Sequence, residues 1–337
     1  MTLDPERRAA LLGAKLGALV RAGWGDAERS PAVFGGGAAL VHDDTAWVLA
    51  DDEPHRVLGP TLAWAAGRDL AHVNVLVDDD AAGVVARRAL AFERAPRVWR
   101  VDGRTVAPAE PAPYPASAPL PDDAERFAAL LGDRGVEVVV EHGELVGEVL
   151  GLEIARVVVG EGGERRLEVG VGRHDREAFA MLHGDVPTPE ALAAVVEAVV
   201  THRRPGASPH PLNRLAAERW LRALLLDHPG VVGARTLTPA DPPVARSNVK
   251  DATPAPAVGE GADGEAVVVV CSTGIDLDLV PAAADARGWH APGARLVLVV
   301  PGRDDHPVTR RLADALAEPA EVVAVADDWR AGLVPLA

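Results

Sequence analysis

The chain of 337 residues contains a single cysteine, Cys271. A lone thiol excludes a disulfide within the chain and a zinc site built from several cysteines. Its place at the end of the apolar run AVVVVC marks a small buried hydrophobe rather than a nucleophile. Lysine is nearly as scarce, with Lys15 and Lys250 alone, so a mechanism that needs a catalytic lysine has two residues to draw on. No run of about 18 uncharged apolar residues occurs, so no segment reads as a membrane-spanning helix. The histidines at 174, 183, 202, 210 and 228 lack the spacing of a zinc site.

Positive charge is also in deficit, with 34 Lys and Arg against 50 Asp and Glu and a formal net charge of −16. Non-specific affinity for nucleic acid comes from neutralising phosphates with Lys and Arg, so this balance disfavours it and leaves a protein partner as the open alternative. The first stretch, MTLDPERRAALLGAKLGALVRAGW, carries charges through its apolar positions and has no small-residue cleavage site. It predicts an amphipathic helix rather than a signal peptide, and with it a cytoplasmic location.

What is present is an apolar share of 48%, ample for globular folding, over a length that exceeds one ordinary core. Short apolar runs alternate with helical patterns, which predicts an α/β fold of two or three domains with mixed or parallel sheets. Residues 1–106 read as a first α/β domain, with GGGAALVHDDTAWVLADDE as a hairpin, HVNVLV and RVWRVDG as strands, and AAGVVARRALAF as a helix. Residues 107–121 are dense in proline and read as an extended linker. Residues 122–237 form an α/β or α+β middle unit, 238–264 a loop rich in Pro, Ala and Gly, and 265–337 a βαβαβ unit. The last strand-helix-strand aligns with 72–101 without a gap, so that Arg310 and Arg311 fall on Arg87 and Arg88. Duplication is one reading of that match, and the general likeness of βαβ units is the other.

In a parallel α/β sheet, ligands bind beyond the carboxyl ends of the strands. Here those ends carry Asp51, Asp52, Glu53, Asp78, Asp79, Asp80, Asp102, Asp276, Asp278, Asp304, Asp305, Asp327 and Asp328. Such carboxylates suit Mg²⁺, and they equally suit the free N–H groups and dipole of a helix start. In HVNVLVDDDAAGVVARRAL the order is strand, Asp78-x-Asp80-x-x-Gly83, then a helix with Arg87 and Arg88. This segment resembles the Toprim metal-binding segment of primases, topoisomerases and related nucleases. The resemblance implies that Asp78 and Asp80 hold Mg²⁺ and that Glu53, after WVLADD, acts as acid or base in phosphoryl transfer. Pro54 stands where that family has a glycine, and Tyr114, the only tyrosine, lies in the proline stretch, against a topoisomerase.

The middle unit runs helix, strands, helix, with Glu125 on the helix, Glu153 in GLEIARV and Glu168 in LEVGVG. It resembles the restriction-endonuclease-like family, which implies that Glu153 and Glu168 bind Mg²⁺ beside a cation that activates water. That cation is usually a lysine two residues after the second acid, where this chain has Gly170. Arg166, Arg173 and His174 are the remaining candidates, and an arginine stays protonated. The resemblance therefore implies either an active enzyme or a degenerate relative that serves as a scaffold or regulator.

Arg214, Glu218 and Arg222 in PLNRLAAERWLRALLLD are spaced as a surface ion-pair row, with Trp220 on the buried face. In CSTGIDLDLVP, Ser272, Thr273, Gly274 and Asp276 follow a strand and precede a helix. Small residues there let backbone N–H groups approach an anion, which predicts a Rossmann-like module for a small phosphorylated ligand. The turn lacks the residues of a P-loop or a dinucleotide fingerprint.

Overall fold

The computed structural model describes residues 4–51, 53–116, 119–120, 123–160, 162–172, 176, 188–246 and 251–335. Among them are three sheets and eight α-helices, in a mixed α/β arrangement. None of these helices is long and apolar enough to cross a membrane. The chain gathers into two compact units, one of residues 1–114, 276–285 and 306–320, the other of 115–275, 286–305 and 321–337.

The first unit begins with α1 (Pro5–Trp24), started by Pro5 in its first turn and ended at Gly25, whose φ of 80 an L side chain rarely adopts. Leu12, Leu16, Leu19 and Val20 recur at helical spacing and face a six-stranded sheet. Its strands are β1 (Ser30–Ala32), β2 (Gly37–His42), β3 (Thr45–Ala50), β4 (His72–Asp78), β5 (Arg97–Asp102) and β6 (Thr105–Pro108), paired in chain order. Asp43 at φ 49 makes the tight β2–β3 turn. The strands β3, β4 and β5 run parallel, joined through α2 (Leu58–Ala66) and α3 (Asp79–Ala89). The run Asn74–Val77 of β4 is buried throughout, as a parallel strand covered on both faces requires.

The proline-rich stretch continues beyond β6 along α3. Ala112 N–H donates to the Gly83 carbonyl at 2.9 Å, and a Cβ on Gly83 would meet the Ala112 Cβ at 2.9 Å. Arg87 donates to the Ala112 and Pro113 carbonyls and lies 4.5 Å from the Tyr114 ring centre. The prolines hold this segment extended, and Gly83 lets it approach.

The second unit opens with α4 (Ala124–Gly132) and an antiparallel sheet of β7 (Glu137–Glu141), β8 (Glu144–Val149), β9 (Leu152–Val159) and β10 (Arg165–Val169), covered by α5 (Thr188–His202). Then α6 (Ala217–Asp227) leads to a five-stranded sheet of β11 (Ala234–Pro239), β12 (Ala255–Gly261), β13 (Ala266–Cys271), β14 (Arg295–Pro301) and β15 (Glu321–Val325). The connections after β13 and β14 contain α7 (Leu279–His290) and α8 (Pro307–Asp314), and residues of both belong to the first unit. Trp220 packs edge-on to Trp329 at 5.6 Å in the core of this sheet. Two strands enter the stretch that composition marks as a loop: β11 reaches Pro239 and β12 fills 255–261. Pro and Gly obscure the period-two pattern there, although β12 pairs on both sides.

The first and last sheets share one plan. Each follows a helix with two antiparallel pairings and then three parallel strands in chain order: β1-β2-β3-β4-β5 and β11-β12-β13-β14-β15. The likeness read between 72–101 and the C-terminal strand-helix-strand therefore extends to five strands of each sheet, β6 having no counterpart.

Candidate functional site

Parallel pairing of β3, β4 and β5 sets Asp51, Glu53, Asp78, Asp80 and Asp102 beyond one edge of the first sheet. Asp78 is the residue before α3, yet its side chain makes no capping hydrogen bond. It is exposed, and Lys15 Nζ stands 3.3 Å from its Oδ1. Asp80 is exposed as well, and Glu53 occupies a left-handed conformation, φ 44, before the turn that starts at Pro54. The other residues of this segment have structural partners: Gly83 admits Ala112, while Arg87 and Arg88 reach buried aspartates.

Those aspartates make the first of two charge networks. Arg87 forks onto Asp285, Nε to Oδ1 at 2.7 Å and Nη2 to Oδ2 at 3.0 Å. Arg88, itself buried, gives Nε to Asp285 Oδ2 at 3.2 Å and Nη1 to Asp278 Oδ2 at 2.8 Å and to the His55 carbonyl. Arg56 pairs with Asp276 at 2.9 Å. Asp278 thus has one direct guanidinium contact, and its Oδ1 has no hydrogen-bond partner among the described residues. Burial pushes its carboxyl up to about 7; Arg88 and Arg56 oppose that rise and Asp276 adds to it.

The second network lies in the second unit, around three buried glutamates on adjacent strands: Glu141, Glu148 and Glu153. Arg219 bridges Glu141 and Glu148, and Arg222 holds Glu148 from the other oxygen at 2.9 Å. Gly151, at φ 72, allows the β8–β9 turn to meet α6, since a Cβ there would lie 2.3 Å from Arg219 backbone. The Arg222 and Glu218 side chains are therefore buried partners, not members of a surface row: Glu218 accepts from Thr273 Oγ1 at 2.9 Å.

Glu153 is the most enclosed in charge. Its Oε1 accepts from Arg156 Nε at 2.9 Å and Arg176 Nη1 at 2.6 Å, and its Oε2 from Arg156 Nη2 at 2.8 Å and Arg246 Nη2 at 2.5 Å. A carboxylate offers about four lone-pair sites, so these four donors use all of them. Burial works to raise the Glu153 carboxyl, but the hydrogen bonds and charges of Arg156, Arg246 and Arg176 hold it down at about 2. Arg246 also stands 3.5 Å from Glu141, whose carboxyl is likewise held below its ordinary value against burial, by Arg219 first. Glu168, on β10, sits opposite Arg156 of β9 and binds Arg166 at 2.8 Å, with Arg176 at 4.0 Å. The structure thus brings Glu153 and Glu168 around Arg176, while Glu125 lies on α4. Arg173 and His174 lie outside the described residues.

The strand-to-helix turn after β13 has internal partners too. Ser272 is buried, Thr273 is spent on Glu218, and the Gly274 N–H donates to Asp304 Oδ2 at 2.8 Å. A carboxylate therefore stands where an anion would meet Gly274. Asp276 belongs to the first unit, where it accepts from Asp278 N at 2.9 Å besides pairing with Arg56.

No group of three or more His, Cys, Asp or Glu side chains among the described residues is arranged to hold a metal ion. Sequence reasoning read Glu153 as a Mg²⁺ ligand and Asp278 as a strand-end acid, and it did not single out Glu141, Glu148 or Asp285. The available signal was an acid within an otherwise apolar segment, as Asp285 is in VPAAADA and Glu148 in LVGEVLG. Comparison with family models, curated proteins and solved structures found no match.

Proposed function

We propose that this chain is a non-catalytic scaffold or regulator, a degenerate relative of Mg²⁺-dependent nucleases. The observation that carries the reading is the closed shell of Glu153. Its lone-pair sites are all taken by Arg156, Arg176 and Arg246, so a metal ion would have to displace charge-assisted hydrogen bonds inside a buried site. Arginine also supplies no base to activate water. In this reading the guanidinium groups take the structural part that a metal plays in an active relative, fastening β8 and β9 to α6 and to the segment at Arg246.

The test is hydrolysis of single- and double-stranded DNA and of RNA by the full chain with Mg²⁺ or Mn²⁺. The expected result is no cleavage above the protein-free rate. Cleavage that is abolished by Glu153→Gln, or by Asp78→Asn with Asp80→Asn, would overturn the reading.

A second reading, phosphoryl transfer with Mg²⁺ on Asp78 and Asp80 and with Glu53 as acid or base, is favoured by one observation. Asp78 is exposed, makes no cap, and has Lys15, one of the two lysines, beside it. The same assay separates the two readings. A phosphorylated small ligand at Ser272–Gly274 is the weakest alternative, because Asp304 already takes the Gly274 N–H.

A further inference from the structure

At the amino ends of β3, β4 and β5, the edge opposite the acidic residues, the first unit contains an open cavity of about 620 Å³. That volume falls within the range of small-molecule sites, roughly 300–1,000 Å³. Its wall includes Trp24 and Trp47, which meet edge to face with ring centres 6.1 Å apart. Asn74 stands between strands with both ends of its amide engaged, Nδ2 on the Ala46 carbonyl at 3.2 Å and Oδ1 accepting from Trp99 Nε1 at 3.0 Å. Trp99 in turn holds Trp24 at 4.8 Å. The aromatic floor is thereby fixed before any ligand arrives.

Two features mark the wall. Trp47 is only 5% exposed, and its indole Nε1 is buried without a hydrogen-bond partner among the described residues. Buried indole N–H groups ordinarily find an acceptor. The second feature is charge: the wall contains Arg94, Arg97 and His72 and no carboxylate, in a chain with 50 acidic residues against 34 Lys and Arg. Arg94 and Arg97 are exposed and make no ion pair or side-chain hydrogen bond among the described residues. His72 Nε2 lies 3.8 Å from Asp44. Arg29, whose guanidinium lies 4.8 Å from the Trp47 ring centre, is held by the carbonyls of Trp24, Gly25 and Ala27.

We propose that this cavity binds a small flat aromatic anion, its ring against Trp24 and Trp47 and its charged group at Arg94 and Arg97. Arginine suits this task because its planar fork both stacks on rings and pairs with oxyanions. The inference does not rest on the non-catalytic reading of the acidic residues, and it gives a regulator a place to receive a signal.

The test uses anilinonaphthalene sulfonate, an aromatic anion, and phenylnaphthylamine, the same ring system without the sulfonate, in fluorescence titrations of the full chain. The anion is expected to saturate one site and to bind at least about tenfold tighter than the neutral ring, as loss of a charge-assisted contact implies. Arg94→Gln with Arg97→Gln should remove that preference and leave the neutral ring unaffected. Equal affinity for both probes, no saturable binding of the anion, or anion binding unchanged in the arginine variant would each overturn the proposal.

Discussion

Two buried groups of carboxylates, one in each unit, meet arginine in different proportion. Asp278 in the first unit and Glu153 in the second are 4% and 3% exposed, so burial alone does not distinguish them. Glu153 has three guanidinium groups around it and sits at about 2; Asp278 has direct contact with one, has Asp276 nearby, and sits at about 7. Burial acts to raise both carboxyls, and the comparison teaches that the number of guanidinium groups in contact separates the one held down from the one pushed up. It also gives these two carboxyls opposite dependence on pH. A carboxyl held low stabilises the native state above its ordinary value, and that stability is lost as pH falls from 4.5 toward about 2. A carboxyl pushed high keeps its proton in the native state after the unfolded chain has released it, so stability falls as pH rises from 3.8 to about 7.

The largest effect is expected at Glu148, which is fully buried between Arg219 and Arg222. Glu148→Ala leaves two buried guanidinium groups short of a partner and should cost about 3–5 kcal/mol in urea unfolding at neutral pH. A loss below about 1 kcal/mol would mean that the second network does not hold its unit together.

Next in size is Glu153→Gln. The amide cannot be held in the charged form, so the variant should lose about 3 kcal/mol at pH 7 and lose its acid-side decline between pH 4.5 and 2. Urea midpoints at pH 7, 4 and 3 check both parts. An unchanged acid limb would place the proton uptake on another group.

Asp278→Asn sharpens the contrast. Asparagine is a neutral isostere of the protonated acid, so stability at pH 4 should stay within about 1 kcal/mol of the parent, the fall between pH 4 and 7 should flatten, and at pH 7 the variant should be the more stable of the two by a few kcal/mol. If instead the variant loses several kcal/mol, the Arg88–Asp278 pair is an ionised one like those of the second unit. The smallest change is expected where an ion pair is exposed. Arg235→Ala breaks the pair with Glu260, whose side chains are 60% and 54% exposed, and should cost about 0.2–1 kcal/mol with a clear dependence on salt.

The elements that carry these groups were legible in the sequence, and the networks were not. HVNVLV, AVVVVC and RLVLVV are strands as read, because an unbroken apolar run of that length bounded by polar turns suits a covered parallel strand. Trp220 packs inward as its leucine neighbours implied. Arg222 misleads, since its spacing to Glu218 matches a surface pair while its partner Glu148 lies 74 positions away. Arg88 and Asp278 are 190 positions apart, and Glu153 and Arg246 are 93 apart. Periodicity reports which face of an element is apolar, and it has no means of naming a partner across such separations. Asp78 illustrates the reverse case: the strand end and helix start were legible at that position, yet the structure gives its carboxylate a lysine and no cap.

The central proposal is that the acids of the two networks and of the β4 end serve arginine, lysine and solvent rather than a metal. Thermal unfolding of the parent and of the variant with Asp78→Asn and Asp80→Asn, each in Mg²⁺ and in chelator, tests it most directly. The account predicts midpoints that do not respond to Mg²⁺ in either protein. A rise in Mg²⁺ that vanishes in the variant, approaching about 2.7 kcal/mol at a hundredfold excess over the dissociation constant, would contradict it.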